Sequence, residues 1–72
     1  MILKETYVEL LEQGISLEVG QLSISPMRRF GKTVYQVHCD DYRRQFSHIH
    51  KDILDAIDEF LETKNEFYKR SN

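Results

Sequence analysis

The stretch Thr33-Val34-Tyr35-Gln36-Val37-His38-Cys39, followed by Asp40-Asp41 and then Tyr42-Arg43-Arg44-Gln45-Phe46, decides the fold. From Thr33 to Cys39 the chain alternates strictly, with Tyr35, Val37 and Cys39 on one side and Val34, Gln36 and His38 on the other. Alternation of period two over this length marks a half-buried strand. Asp40-Asp41 supplies turn residues, and Tyr42 to Phe46 follows as a partner strand, so the whole reads as a β-hairpin. A two-residue loop at Asp40-Asp41 sets Cys39 opposite Tyr42, Val37 opposite Arg44 and Tyr35 opposite Phe46. A four-residue loop keeps the same two groups of side chains together. The second face then carries Gln36, His38, Arg43 and Gln45, and a sheet with one polar face is covered on the other face only.

Toward the N-terminus, Pro26 withdraws a backbone donor and predicts the end of a strand, opening a loop from Pro26 to Lys32. Before it, Ile15, Leu17 and Val19 alternate with polar residues, and after Gly20 the apolar parity moves to Leu22 and Ile24. A bulge at Gly20-Gln21 keeps this as one strand; the alternative is a strand that begins near Gln21. Leu3, Tyr7, Leu10 and Leu11 recur at helical spacing and predict a helix over residues 2–13. Gly14 fits the left-handed position that closes such a helix, with Ile15 reaching back to Leu10.

Toward the C-terminus, Ser47 is the expected cap of the last helix, and Ile49, Ile53, Leu54, Ile57, Phe60 and Leu61 define its buried face. Lys64 falls on that apolar side, so the helix is expected to fray or leave the core there. Residues 65–72 read as a polar tail or helix extension, and residues 1–64 as a single small domain. The expected fold is α+β: a two-layer sandwich in α-β-β-β-α order, with a three-stranded antiparallel sheet and both helices on one face.

Val, Ile, Leu and Phe make up 21 of the 72 residues, enough for a folded chain but with a thin core. Domains below about 70–80 residues rarely gain more than about 3–5 kcal/mol from a single core. A homodimer is therefore among the expected states, since a second copy adds stability by mass action. The lone Cys39 excludes an intramolecular disulfide and suits a reducing, cytoplasmic setting. Met1-Ile2-Leu3-Lys4-Glu5 lacks a signal-peptide layout, and no apolar run approaches the roughly 20 residues that span a bilayer.

The predicted element order is similar to that of double-stranded-RNA-binding domains. Those domains grip phosphates with a cluster of Lys and Ala at the start of the second helix, where this chain has His50-Lys51-Asp52-Ile53-Leu54-Asp55-Ala56. The likeness is confined to element order, and the binding residues do not carry over. Gly31 to Leu61, with Arg43, Arg44 and Phe46, is loosely similar to the arm-type DNA-binding domains of phage integrases.

Candidate chemistry is sparse. A zinc site needs three or four convergent ligands. His38 and Cys39 are strand neighbours that point to opposite faces, and His48 and His50 are two apart, which aligns them only on an extended segment. Cys39 has core-face parity beside Asp40 and Asp41, whose charges disfavour the thiolate a nucleophile needs. The chain has no P-loop, glycine-rich dinucleotide signature or nucleophile elbow. No enzyme activity, metal or cofactor is expected.

Charge is more informative. The formal net charge is −2, but residues 1–25 carry −3, residues 26–44 carry +3 and residues 45–72 carry −2. On the last helix Asp52, Asp55, Glu59, Glu62 and Glu66 fall within one arc opposite the apolar face. This strip, with the aromatic residues Phe67 and Tyr68, is the expected docking surface for a protein partner. The alternative is a nucleic-acid-binding module built from the basic loop Arg28, Arg29 and Lys32 and the hairpin face Gln36, His38, Arg43 and Gln45. Arg44, with core-face parity, has to reach out at the sheet edge or pair with a carboxylate. Met27 and Phe30 are expected in an exposed loop. The function expected from sequence is thus a small non-enzymatic binding or regulatory protein that docks onto a macromolecule.

Overall fold

The computed structural model describes residues 3–68. The elements are α1 (Lys4–Glu12), β1 (Leu17–Val19), β2 (Leu22–Arg29), β3 (Lys32–Asp41), β4 (Arg44–His50) and α2 (Ile53–Tyr68). The strands form an antiparallel meander in the order β1-β2-β3-β4. The α+β class agrees with the sequence, but the sheet has four strands rather than three. The parity change after Gly20 is a chain reversal, with Val19 paired to Leu22 across Gly20-Gln21. Gly20 has φ +58° and Gln21 has no positive φ, which matches a two-residue turn with glycine in its first central position.

Pro26 does not end its strand. β2 continues to Arg29 and pairs with β3 throughout, replacing the expected loop with Met27↔Val34, Arg28↔Thr33 and Arg29↔Lys32 around a Phe30-Gly31 turn. β1 pairs no further along β2 than Ile24. At Pro26, therefore, β2 is an edge strand, where a missing N–H breaks no ladder bond.

The β3–β4 hairpin keeps the expected faces but shifts its register. Cys39 faces Phe46, Val37 faces His48 and Tyr35 faces His50, with Tyr42-Arg43 at the turn instead of Asp40-Asp41. The cause lies in Asp41, whose Oδ1 accepts the backbone N–H of Arg43 at 2.9 Å and so caps the turn locally. Arg43 leaves the outer sheet face as a result. The shift also carries β4 on to His50, so Ser47 and Ile49 belong to a strand and not to the last helix. The cap of α2 is Asp52, whose Oδ1 accepts the N–H of Leu54 at 2.8 Å.

The stop signal of α1 is as the sequence predicts. Gly14 has φ +84°. The N–H of Ile15 donates to the carbonyl of Leu10 at 2.9 Å and that of Gly14 to Leu11 at 3.0 Å, the paired bonds of a left-handed helix stop. The core gathers Tyr7 and Leu11 of α1, Leu22, Ile24, Val37 and Cys39 of the sheet, and Ala56, Ile57 and Phe60 of α2. Phe60 meets Tyr7 edge-on, with ring centroids 6.0 Å apart. Cys39 is 1 % exposed and packs as a small apolar group. Leu54, expected in the core, is half exposed. α2 runs past Lys64 to Tyr68 without leaving the sheet, held by contacts at its last turn. Among the described residues, no helix is long and apolar enough to cross a membrane.

Candidate functional site

The acidic strip of α2 is partly engaged inside the chain. His48 and His50, two apart on an extended strand, both point at Glu59: His48 Nδ1 lies 2.6 Å from Oε2 and His50 Nε2 lies 2.7 Å from Oε1. Burial raises the Glu59 pKa, but the hydrogen bonds from His50 and His48 outweigh it and hold the carboxyl below its ordinary value. Glu66 pairs with Arg44 at 3.6 Å, which settles how a cation with core-face parity is accommodated. Asp52 serves as the helix cap. Asp55 and Glu62 are exposed and make no ion pair among the described residues. No group of three or more His, Cys, Asp or Glu side chains among the described residues forms a potential metal site.

Phe67 and Tyr68 are half-buried and act as an internal fastening. Arg43 grips Asp41 through two bonds of 2.9 Å, from Nε to Oδ1 and from Nη2 to Oδ2. Its guanidinium sits 4.5 Å from the Phe67 ring centroid and 5.9 Å from that of Tyr68. The Tyr68 hydroxyl donates to Asp41 Oδ2 at 3.0 Å and accepts the backbone N–H of Gln21 at 3.2 Å. The end of α2 is thereby tied to two turns of the sheet. Hydrogen bonds from the Arg43 side chain and backbone hold the Asp41 carboxyl well below the usual carboxylate range. Arg43 is committed to this network and does not join a basic surface.

The remaining basic and polar candidates, Arg28 excepted, share the opposite face. Strand alternation and the observed register place Arg29, Lys32, Val34, Gln36, His38, Gln45, Ser47 and Ile49 on the sheet face away from the core. Gln36 Nε2 donates to Ser47 Oγ at 2.6 Å across this face. Arg28 has the other parity and braces the turn, donating to the carbonyl of Gly31 at 2.9 Å and to Thr33 Oγ1 at 3.1 Å. The turn itself is unusual. Phe30 has φ +52° and Gly31 has φ +77°, and Phe30 is 100 % exposed. Two positive φ values define the mirror-image turn that normally carries Asn-Gly or Asp-Gly. A bulky aromatic residue there is a conformational outlier.

Beside this turn lies a hollow of about 620 Å³ on the outer face. Its apolar lining is Phe30, Val34 and Ile49, and its charged lining is Arg29, Lys32 and Lys51, with no carboxylate. Of the residues singled out from sequence, Arg29, Phe30 and Lys32 line this hollow. Gln36, His38 and Gln45 continue the same sheet face. Arg28 and Arg43 lie elsewhere. Val34, Ile49 and Lys51 are the residues that sequence reading assigned to other roles. The signal for Ile49 was the β4 register, since reading Ser47 as a helix cap removed it from the sheet; Lys51 follows the end of that strand and reads from sequence as part of the helix start. No protein-family model, no curated protein and no solved structure matches the chain.

Proposed function

We propose that this chain is a small non-enzymatic binding domain that docks onto nucleic acid through the β2–β3 end of its sheet. The reading takes the fold as two layers, with both helices on one face and the other face left for the partner. The observation that carries it is the fully exposed Phe30, held in a left-handed turn and lining one hollow with Arg29, Lys32 and Lys51, without a carboxylate in the lining. Cations without counter-charges attract phosphates, and an exposed aromatic ring offers a surface on which bases stack. The overall charge of −2 does not set the local potential, because the acidic groups lie largely on the helices.

The test is a salt titration of binding to a labelled oligonucleotide. Three phosphate contacts predict a slope of log K against log salt between about −2 and −3. Replacing Arg29, Lys32 or Lys51 singly by Ala is expected to lower that slope by about 0.7–0.9 each. A salt-independent affinity, or slopes unmoved by the three variants, refutes the assignment. A protein partner for the acidic strip is the second reading, supported by Asp55 and Glu62, which are exposed and make no ion pair among the described residues. It is the weaker one, because Glu59 and Glu66 already meet His48, His50 and Arg44 of the same chain.

A further inference from the structure

The hollow at the β2–β3 turn narrows the kind of nucleic acid. At about 620 Å³ it falls within the roughly 300–1,000 Å³ typical of small-ligand sites. Its occupant must present a flat apolar group to Phe30 and Ile49, beside the buried Val34, and a negative charge to Arg29, Lys32 and Lys51. A nucleotide whose base is unstacked meets both demands at once. In a duplex the base faces are covered by their neighbours, and only edges in the grooves remain to be read. A Phe wedge driven between stacked base pairs would use the exposed ring. It would leave Ile49, 41 % exposed beside it, without a partner.

The surface leading away from the hollow is consistent with this. The outer face turns acidic at Asp40, opposite Gln45, and at Glu18 on β1; between these and the hollow it presents the hydrogen-bonding groups of Gln36, Ser47 and His38. Such groups suit the edges of splayed bases, which a single strand exposes and a duplex hides. We propose that the hollow holds one unstacked base of a single-stranded nucleic acid against Phe30 and Ile49. Its flanking phosphates lie on Arg29, Lys32 and Lys51, and the strand continues across Gln36 and His38. This rests on the nucleic-acid reading above and goes further, assigning strand state and the residues that read it.

The experiment uses the full chain and fluorescence anisotropy at low salt. The probes are a mixed-sequence 12-mer single strand in DNA and in RNA form, the DNA duplex of the same sequence, and vesicles containing phosphatidylserine. At least one single strand is expected to bind tenfold or more tightly than the duplex. Loss of a stacked base typically weakens binding by about five- to 150-fold, so Phe30→Ala is expected to lower single-strand affinity at least about fivefold. Phe30→Asn, which suits the turn better, must show the same loss with no drop in melting temperature. Duplex binding equal to or tighter than that of both single strands overturns the single-strand inference and leaves the nucleic-acid reading in place. Binding to neither kind of oligonucleotide, or capture by the vesicles alone, overturns both. Single-strand affinity unchanged in Phe30→Ala removes the hollow as the site.

Discussion

Replacing Phe30 by Asn is expected to stabilise this protein while disabling its proposed binding surface. An L-residue in the left-handed region costs about 1–2 kcal/mol. Phe30 meets this cost at φ +52° while fully exposed, so its ring recovers nothing through burial. Asn enters the left-handed region several-fold more readily, and Asn-Gly is a favoured pair for a turn with two positive φ values. Relief of most of the strain raises stability by about 1 kcal/mol. For a domain of this size that corresponds to a rise in Tm of about 4–8 °C. The assay is thermal unfolding followed by far-ultraviolet circular dichroism. Phe30→Ala is the control, because Ala retains the positive-φ cost and removes only the ring. Its stability is expected within about 0.5 kcal/mol of the parent, as for other exposed positions. If Phe30→Asn melts at or below the parent temperature, the ring supports the turn and the strain argument fails.

Two further outcomes test the frame that carries this turn. Gly20→Ala and Gly31→Ala both place Ala at positive φ, but an added Cβ at Gly20 would lie 2.7 Å from a Tyr68 ring carbon, whereas Gly31 faces open space. Gly20→Ala is expected to lose at least about 1 kcal/mol more in urea titrations; equal losses would mean that Tyr68 does not fasten the β1–β2 turn. Asp41→Asn weakens the grip on Arg43 and Tyr68. Because Arg43 lowers the Asp41 pKa from its ordinary 3.8, its contribution to stability is complete above that value and is lost as the pH falls through the lowered one. The gap in urea midpoint between parent and variant is therefore expected to be widest at neutral pH and to narrow below pH 3.8; a gap independent of pH refutes the ionic account.

The fold was legible where sequence carries a local physical instruction. Gly14 and Ile15 specify a helix stop by conformational cost and hydrogen-bond geometry within a few residues, and the stop forms as read. Face assignment in β3 survived a register error because parity depends on alternation alone, so Tyr35, Val37 and Cys39 share the core face with Phe46 at either loop position. Strand count was not legible for the same reason. A bulge and a tight turn at Gly20-Gln21 both exchange the alternating faces, and only non-local pairing of Val19 with Leu22 separates them. The β4 boundary failed through competition between two adjacent caps. Ser47 and Asp52 both suit a helix start, and the length of β3 available for pairing decided in favour of Asp52.

The site was half legible, and the division has a physical cause. Arg29 and Lys32 stand out as a local excess of charge, visible in composition. Ile49 does not, because it reads as part of the last helix, and Val34, although placed on the polar face, carries no charge to single it out. For Phe30 the exposure is expected from sequence and the turn is not. Phe-Gly is not a turn signal, so the sequence around it reads as a loop, whereas the paired strands force a two-residue reversal there. Local preference and global fold thus disagree at one residue. That residue is also the most exposed large apolar side chain among the described residues, and the hollow beside it is lined by cationic side chains. Natural sequences resolve most such conflicts, and strain that persists tends to mark a functional position. Asn or Gly at position 30 would satisfy the turn without exposing a ring. An aromatic side chain kept in that conformation is what the proposed stacking of a base on Phe30 requires.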